Sequence, residues 1–409
     1  MSMDIPVAAE KLLIGLESTF ATAAATAFIR HVSGSAKPKL ARAEIENNGA
    51  SARLFQRFTT VQGFKSEGSG VAFSVHARPP TAPLDSAATP ATSVLGTPLK
   101  AILGLEQSGA GSTVIAGSTA TVVNVTATHG TRFYLGAGIL VGVAGVYWPT
   151  WIVGIAGDVL TVWPELPGAP AAGQAVINSY TYSLSEANGQ SLTVEHTHSV
   201  PAAGSATVQR RLRGCTGEVQ LMLQRGGLAQ FDFDLKAASW DYGTLSIANS
   251  TVGTETLAAP IPVTQGECYL QLAGTTTRTN YPLLSLSTKL TSGMELQKVV
   301  TGGIEGVVAP ARNGGRDSAE FTLRVRADVS RHTEWSAQTL LRFGAVFPSG
   351  SGTSKRMVAI RANQVQIVGT PVETEEGGFL YYDLVLRPVL DSSLVVDTAG
   401  GAPWSISLA

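Results

Sequence analysis

The chain of 409 residues carries 29 basic and 30 acidic side chains, so its formal net charge is −1. This balance argues against tight wrapping of nucleic acid, which needs clustered Lys and Arg, and the two cysteines are too few for a disulfide framework. Charged residues make up only 14% of the chain, against roughly 25% in a typical soluble domain, which predicts that copies of the chain cover much of its surface.

The fold class follows from the abundance of Gly (44) and Pro (20), which together with Thr, Ser and Val favours turns and strands over long helices. The composition therefore predicts a mainly β protein, and the length of the chain predicts two or more packed units. The opening residues 1–6 lack the basic start and apolar core of a signal peptide, which favours assembly inside a cell.

A charged hairpin is predicted at residues 37–57. Residues 39–46 alternate between polar and apolar side chains, residues 47–49 (Asn-Asn-Gly) supply a tight turn, and residues 53–58 return. Two interpretations are open, a projecting arm that docks on a neighbouring subunit and a solvated hairpin. The candidate arm residues are Lys39, Arg42, Glu44, Glu46, Asn48, Gly49, Arg53 and Arg57.

Residues 108–178 differ in composition from the rest of the chain, because they hold only three charged side chains and half of the six tryptophans. Residues 151–155 and 159–163 form a predicted hairpin around a Gly-Asp turn. The apolar stretch 134–147 is interrupted by glycines, which favours buried strands over a membrane span. We therefore predict a small β domain inserted into a loop of a larger unit, on the exterior of any assembly.

A weak internal duplication connects the two parts of the chain. Its strand patterns at residues 191–198 and 231–237 recur at residues 284–290 and 321–327. Three glycines also recur at one constant offset, Gly214, Gly217 and Gly226 as Gly303, Gly306 and Gly315. Both copies read as strand, glycine-containing hairpin and strand, so one supersecondary unit is used twice.

The duplication predicts two tandem β units, each with a short flanking helix. The first comprises residues 1–107 and 179–250, the inserted domain residues 108–178, and the second, with a C-terminal tail, residues 251–409. The helices are predicted at residues 97–103, where Thr97 and Pro98 mark the start, and at residues 331–341 after Ser330.

The sequence contains no catalytic or cofactor signature. His196 and His198 lie on one face of a predicted strand and would form half of a metal site, but no Cys or acidic pair close in sequence completes it. Asp232 and Asp234, which are also two residues apart, have no acid–base partner nearby. The sequence therefore predicts no enzyme, no cofactor and no metal.

Five segments form a pattern that spans most of the chain. They are residues 14–20 (Ile-Gly-Leu-Glu-Ser-Thr-Phe), the charged hairpin, the module of residues 180–237, residues 364–368, and residues 376–384. Together they resemble the tail tube proteins of tailed bacteriophages. The similarity covers residues 12–75, 179–237 and 261–390.

This resemblance implies β-barrel or sandwich units whose sheets join those of neighbouring subunits in a closed ring. Rings would stack into a tube that carries genomic double-stranded DNA into the host without binding it specifically. A chain with two units would close as three copies with pseudo-sixfold symmetry. The implied partners are other copies of the chain and other tail proteins at the tube ends, in a virion assembled in the host cytoplasm, with no membrane.

The electrostatics of the lumen follow from this implied role as a conduit. A lumen rich in Lys and Arg would bind phosphate, so acidic and neutral side chains are expected to line it. The candidates are Glu195, Asp232 and Asp234. Basic residues of the second copy are expected to pair with carboxylates across subunits, namely Lys289, Arg324 and Arg326.

Two other functions stay open. A distal tail, hub or terminator protein would share the fold and form one ring without polymerising. A secreted carbohydrate-binding β module would need an exposed aromatic platform, which Trp148, Trp151 and Trp163 could supply.

Overall fold

Strands dominate the computed structural model, which contains only two α-helices among the residues described, so the predicted mainly β class is confirmed. No helix in this part of the chain is long and apolar enough to cross a membrane. The structure describes residues 10–42, 44–45, 61–80, 82–88, 90, 95–185, 190–199, 207–243, 259–291, 294–299, 302–312, 319–328, 330–389 and 402–409.

The elements follow one another in chain order. The first are β1 Glu10–Leu16, β2 Ala27–Ile29, β3 Lys37–Lys39, β4 Glu44–Ile45, β5 Val61–Gln62, β6 Gly70–His76, α1 Gly96–Leu103 and β7 Gly104–Gln107. The insert contributes β8 Ser112–Thr113, β9 Val122–Asn124, β10 Gly138–Val143, β11 Val146–Ala156, β12 Val159–Trp163 and β13 Ala175–Ile177. Next come β14 Tyr180–Leu184, β15 Leu192–Ser199, β16 Thr207–Gln224, β17 Gln230–Lys236 and β18 Ser239–Gly243. The last are β19 Glu267–Leu272, β20 Leu283–Thr291, β21 Met294–Lys298, β22 Val307–Arg312, β23 Ala319–Arg326, α2 Ser330–Ser336, β24 Leu341–Ser349, β25 Arg356–Glu376, β26 Phe379–Pro388 and β27 Trp404–Leu408.

Eight of these strands form one continuous antiparallel run, in the order β3, β6, β17, β16, β20, β23, β26 and β25. Side chains alternate along these strands, so one face is apolar and the other polar. The apolar face packs into the main core, where Phe73 and Phe233 stack with ring centroids 4.8 Å apart. We call this arrangement the eight-strand run.

The 18-residue strand β16 connects the two halves of the sequence. Its first part pairs with β15 and β18, and its second part pairs with β17 and β20. Because β20 belongs to the second predicted unit, both halves lie in one sheet. They also share one hydrophobic core, which extends in sequence from Leu12 to Leu408.

The duplicated strand patterns are paired differently in the two copies. β20 and β23 are neighbours that pair directly, whereas their counterparts β15 and β17 each pair with β16. Gly214 lies within β16, whereas Gly303 precedes β22, although both adopt a positive φ. The sequence duplication is therefore not a duplication of strand pairing.

The strands of the insert form a separate six-stranded sheet with its own small core. The hairpin predicted within it is confirmed, since β11 pairs with β12 and Trp151 lies opposite Trp163. The side chains of both tryptophans extend from this sheet and pack on Tyr269 of the main sheet. Their ring centroids lie 6.2 and 5.9 Å from that of the tyrosine. Part of the apolar surface of the insert is therefore covered within the same chain.

The two predicted helices are present, and the second is shorter than expected. α1 occupies the predicted position and is buried on most of its surface. α2 ends at Ser336 instead of residue 341, since Gln338 has a φ of +50° and β24 starts at Leu341. The chain therefore leaves the helix in order to enter β24, although the residues that follow Ser336 could continue a helix.

Part of the predicted charged hairpin lies in the described chain. β4 pairs with β5, so Glu44 lies opposite Gln62. Lys39 belongs to β3 and Arg42 follows it. Residues 46–60 lie outside the described part of the chain, and they include Glu46, Asn48, Gly49, Arg53 and Arg57.

Truncation of Trp163 tests the contact between the insert and the main sheet. Its ring is fully buried and its Nε1 donates a hydrogen bond of 3.1 Å to Gln271 Oε1. We expect Trp163→Ala to lower the free energy of unfolding by about 3–5 kcal/mol, because it opens a cavity between the two sheets. Val159→Ala, at an exposed position of the same strand, should change it by about 0.5 kcal/mol or less in urea denaturation.

Candidate assembly and conduit surfaces

The polar face of the eight-strand run forms a regular surface across neighbouring strands. Every second residue of each strand points to this face, because side chains alternate along a strand. The registers place these polar residues opposite one another across neighbouring strands. Asp232 and Asp234, two of the three predicted lumen residues, belong to it. Its other members include Glu218, Gln220, Ser287, Lys289, Glu320, Thr322, Arg324 and Asp383.

Two basic side chains on this face, Lys289 and Arg387, have carboxylate partners within the same chain. Lys289 Nζ lies 3.7 Å from Glu218 Oε2, and Arg387 Nη2 lies 3.5 Å from Glu320 Oε2. Lys289 thus has a carboxylate partner within its own chain, whereas a partner in another subunit was expected. These two cations are neutralised within the chain, whereas Lys236, on the same face of β17 as Asp232 and Asp234, has no ion-pair partner among the described residues.

Arg324 makes the best-defined ion pair on the polar face. Its Nε and Nη2 donate hydrogen bonds of 2.7 and 2.8 Å to the two oxygens of Asp383, so the contact is bidentate. These hydrogen bonds hold the pKa of Asp383 below its usual range. Arg326, by contrast, stacks over the ring of Phe379 at 5.3 Å. Both arginines therefore contact partners within the same chain.

Glu195, the third predicted lumen residue, is buried inside the fold at 2% exposure. Its Oε1 accepts a hydrogen bond of 2.6 Å from Arg211 Nε, and its Oε2 accepts one of 2.5 Å from Thr26 Oγ1. A buried carboxylate is retained because such partners replace water. Glu195 therefore does not face a lumen, and we remove it from the lumen candidates.

One end of the eight-strand run is positively charged. β3 pairs with β6 on one side, and no described strand pairs with its other side. A groove along this end contains four lysines, which have no ion-pair partner among the described residues. We call it the lysine groove, and its charged lining residues are Lys37, Lys39, Lys236, Lys298, Asp234 and Glu295.

The other end of the run is negatively charged. β25 is 21 residues long, and beyond residue 368 it pairs only with β26 among the described strands. The hairpin formed by residues 369–382, here called the acidic hairpin, carries Glu373, Glu375 and Glu376. It also exposes apolar side chains, with Val372 58%, Phe379 52% and Leu380 45% exposed.

The tryptophans do not form an aromatic platform. Trp151 and Trp163 are buried against Tyr269, and half-buried Trp148 lies beneath Arg278, whose guanidinium carbon is 5.1 Å from the ring centroid. Stacking of sugars on these rings would require an exposed face. The observation that supported a carbohydrate-binding module is therefore lost.

The acidic hairpin could have been recognised from the sequence. The three glutamates before Gly377 and Gly378 were a usable signal, because like charges at a hairpin tip are costly unless they meet a partner. The lysine groove left no such signal, since its lysines come from three separate segments of the chain.

No protein-family model matches the chain, and no curated protein matches it at a significant level. The functional conclusions therefore depend on the faces and ends of the main sheet.

Replacement of Asp383 tests the ion pair with Arg324. Since its folded pKa is lowered, the pair stabilises the protein above the unfolded pKa, about 3.9 for aspartate, and this contribution disappears as the pH falls through the folded pKa. Both side chains are about one-third exposed, so Asp383→Asn should cost about 0.2–1 kcal/mol at pH 7. In urea titrations, the difference from the native chain should vanish below that pH window; a difference that persists would contradict the pairing.

Proposed function

We propose that this protein is a structural component that assembles into rings, and that stacked rings form the tail tube of a bacteriophage through which genomic DNA passes. The observation that carries the proposal is the pair of oppositely charged ends on one continuous sheet. A sheet that ends in strands without partners on one side is prone to pair with another chain unless its edges are covered.

The two ends fit a head-to-tail contact between copies. The acidic hairpin of one chain would meet the lysine groove of the next, and Phe379 and Leu380 would be removed from water in the same contact. Because the two surfaces differ, each copy keeps one free end until the last copy meets the first. Such heterologous contacts produce a closed ring or an open filament, depending on the rotation between copies.

The width of the sheet is compatible with a ring of three copies. Three eight-strand runs supply 24 strands, which at a spacing of about 4.8 Å give a circle about 37 Å in diameter for strands parallel to its axis. Side chains that extend about 5 Å from the sheet leave a bore of about 27 Å. Strand tilt widens it further, so a DNA duplex can pass.

The polar face suits the inner wall of such a ring. Lys289, Arg387 and Arg324 are paired with Glu218, Glu320 and Asp383. Asp232 and Asp234 add negative charge beside one unpaired cation, Lys236, on the same strand. A wall of this kind releases few counterions from DNA and so binds it weakly. The insert packs on β19, β24 and the first part of β25, which leaves the polar face uncovered.

Charge reversal of the two ends tests the assembly. Glu373→Lys with Glu375→Lys should abolish rings and rods, and so should Lys37→Glu with Lys39→Glu, because each variant has two ends of like charge. The chain that carries all four substitutions restores complementary ends at unchanged net charge, so it should assemble again. Sedimentation velocity and negative-stain electron microscopy measure the outcome.

Three results of that experiment are informative. Assembly of both two-residue variants at the level of the native chain would contradict the head-to-tail contact, as would failure of the four-residue variant to assemble while it remains folded. Single rings without rods would favour a distal tail, hub or terminator protein over a tube.

Addition of positive charge to the polar face tests the conduit. We expect assembled rings with Asp232→Lys and Asp234→Lys to retain double-stranded DNA at low salt, with log K falling by about 0.9 per phosphate contact for each tenfold rise in salt. Native rings should retain little DNA in the same filter-binding or gel-shift measurement. Strong, salt-dependent retention of DNA by the native rings would contradict a bore through which DNA passes without binding.

A further inference from the structure

Three strands of the first part of the chain bring metal-ligating side chains together. β1 pairs with β15 so that Glu10 lies opposite His198 and Leu12 opposite His196, which places Glu10 and both histidines on one face. One ligand atom from each of the three residues lies within 4.8 Å of the other two. The predicted half-site therefore gains the acidic ligand that its neighbours in sequence do not provide.

A third imidazole borders the same carboxylate. His31, which follows β2, places Nε2 3.3 Å from Glu10 Oε2, and His196 Nε2 lies 2.6 Å from Glu10 Oε1. The side chains of His31, Glu10 and His196 are 6%, 4% and 1% exposed. The Nδ1 atoms of His31 and His198 are buried with no hydrogen-bond partner among the described residues.

We propose that Glu10, His196 and His198, with His31 as a fourth ligand, bind a divalent transition-metal cation of the zinc class. Imidazole nitrogens with one carboxylate oxygen are a donor set that suits this class, and four ligands from the protein are typical of a structural site. The cation would fasten β2 and β15 to β1. This site is independent of the assembly proposed above.

Binding requires adjustment of the cluster. Ligand atoms about 2.0–2.1 Å from a tetrahedral cation are about 3.3 Å apart. His31 Nε2 has that separation from Glu10 Oε2, whereas His196 Nε2 lies closer to the other oxygen, Oε1, and must move apart from it. His31 is not among the three residues whose ligand atoms are mutually close, so it must also move toward the two other histidines. Arg210 Nη1 lies 3.1 Å from His196 Nδ1. When His196 Nε2 binds the cation, its proton moves to Nδ1, so half-buried Arg210 must turn away toward solvent.

Arg210 therefore competes with the metal, and this provides a sharp test. Arg210→Met should tighten zinc binding, because it removes both the opposing charge and the donor at Nδ1. Glu10→Gln and His198→Asn should weaken binding by more than the roughly 10–100-fold that follows loss of a hydrogen-bond partner of a ligand. His332→Asn should have no effect, since this exposed histidine lies 3.8 Å from Glu373, without a third ligand in the described chain.

The measurement uses the full chain without an affinity tag, stripped with a chelator and titrated with Zn²⁺ in a calorimeter. We expect one zinc per chain, a rise in the melting temperature on loading, and visible absorption bands of tetrahedral geometry when Co²⁺ replaces Zn²⁺. Circular dichroism of each metal-free variant shows whether it folds. Absence of stoichiometric binding in the native chain, or binding that folded Glu10→Gln and His198→Asn leave unchanged, would overturn the proposal.

Discussion

Antiparallel pairing between β16 and β20 is the interaction on which the rest of the structure depends. It joins backbone groups on both sides of the long connection after β18, so two stretches of sequence become one sheet with one core. A sheet of this width must either close on itself or end in strands with free hydrogen-bonding groups. Here the run ends at β3 and at the second part of β25, and neither end reaches the other within the described chain.

The distribution of charge follows from the same constraint. A chain with 14% charged residues uses them at few places. On the polar face Lys289, Arg324 and Arg387 are paired with neighbours on adjacent strands. At one end of the run four lysines outnumber two carboxylates, and at the other end three glutamates lie close together, of which Glu376 also contacts Arg324. Opposite charges at distant ends cannot satisfy each other inside one molecule, and so they favour contacts between molecules.

Local features were predictable from the sequence, and features that depend on distant strands were not. The hairpin of β11 and β12 and the position of α1 follow from alternation and turn chemistry within a few residues. The burial of Glu195 depends on Arg211 and Thr26, and the histidine cluster depends on a glutamate 186 residues away from His196. Strand order decides such contacts, and no sequence pattern specifies it.

Hydrogen exchange tests most directly whether the free ends of the sheet pair between molecules. The exchange of backbone amides in assembled and unassembled protein would be compared by mass spectrometry, with peptides from β17 and β20 as internal references. We expect the amides of residues 372–376 to become protected on assembly, while the references stay unchanged. β3 cannot serve as a second reporter, because Pro38 in its middle has no amide hydrogen. Equal exchange of residues 372–376 in assembled and unassembled protein would contradict pairing between molecules at this end of the sheet.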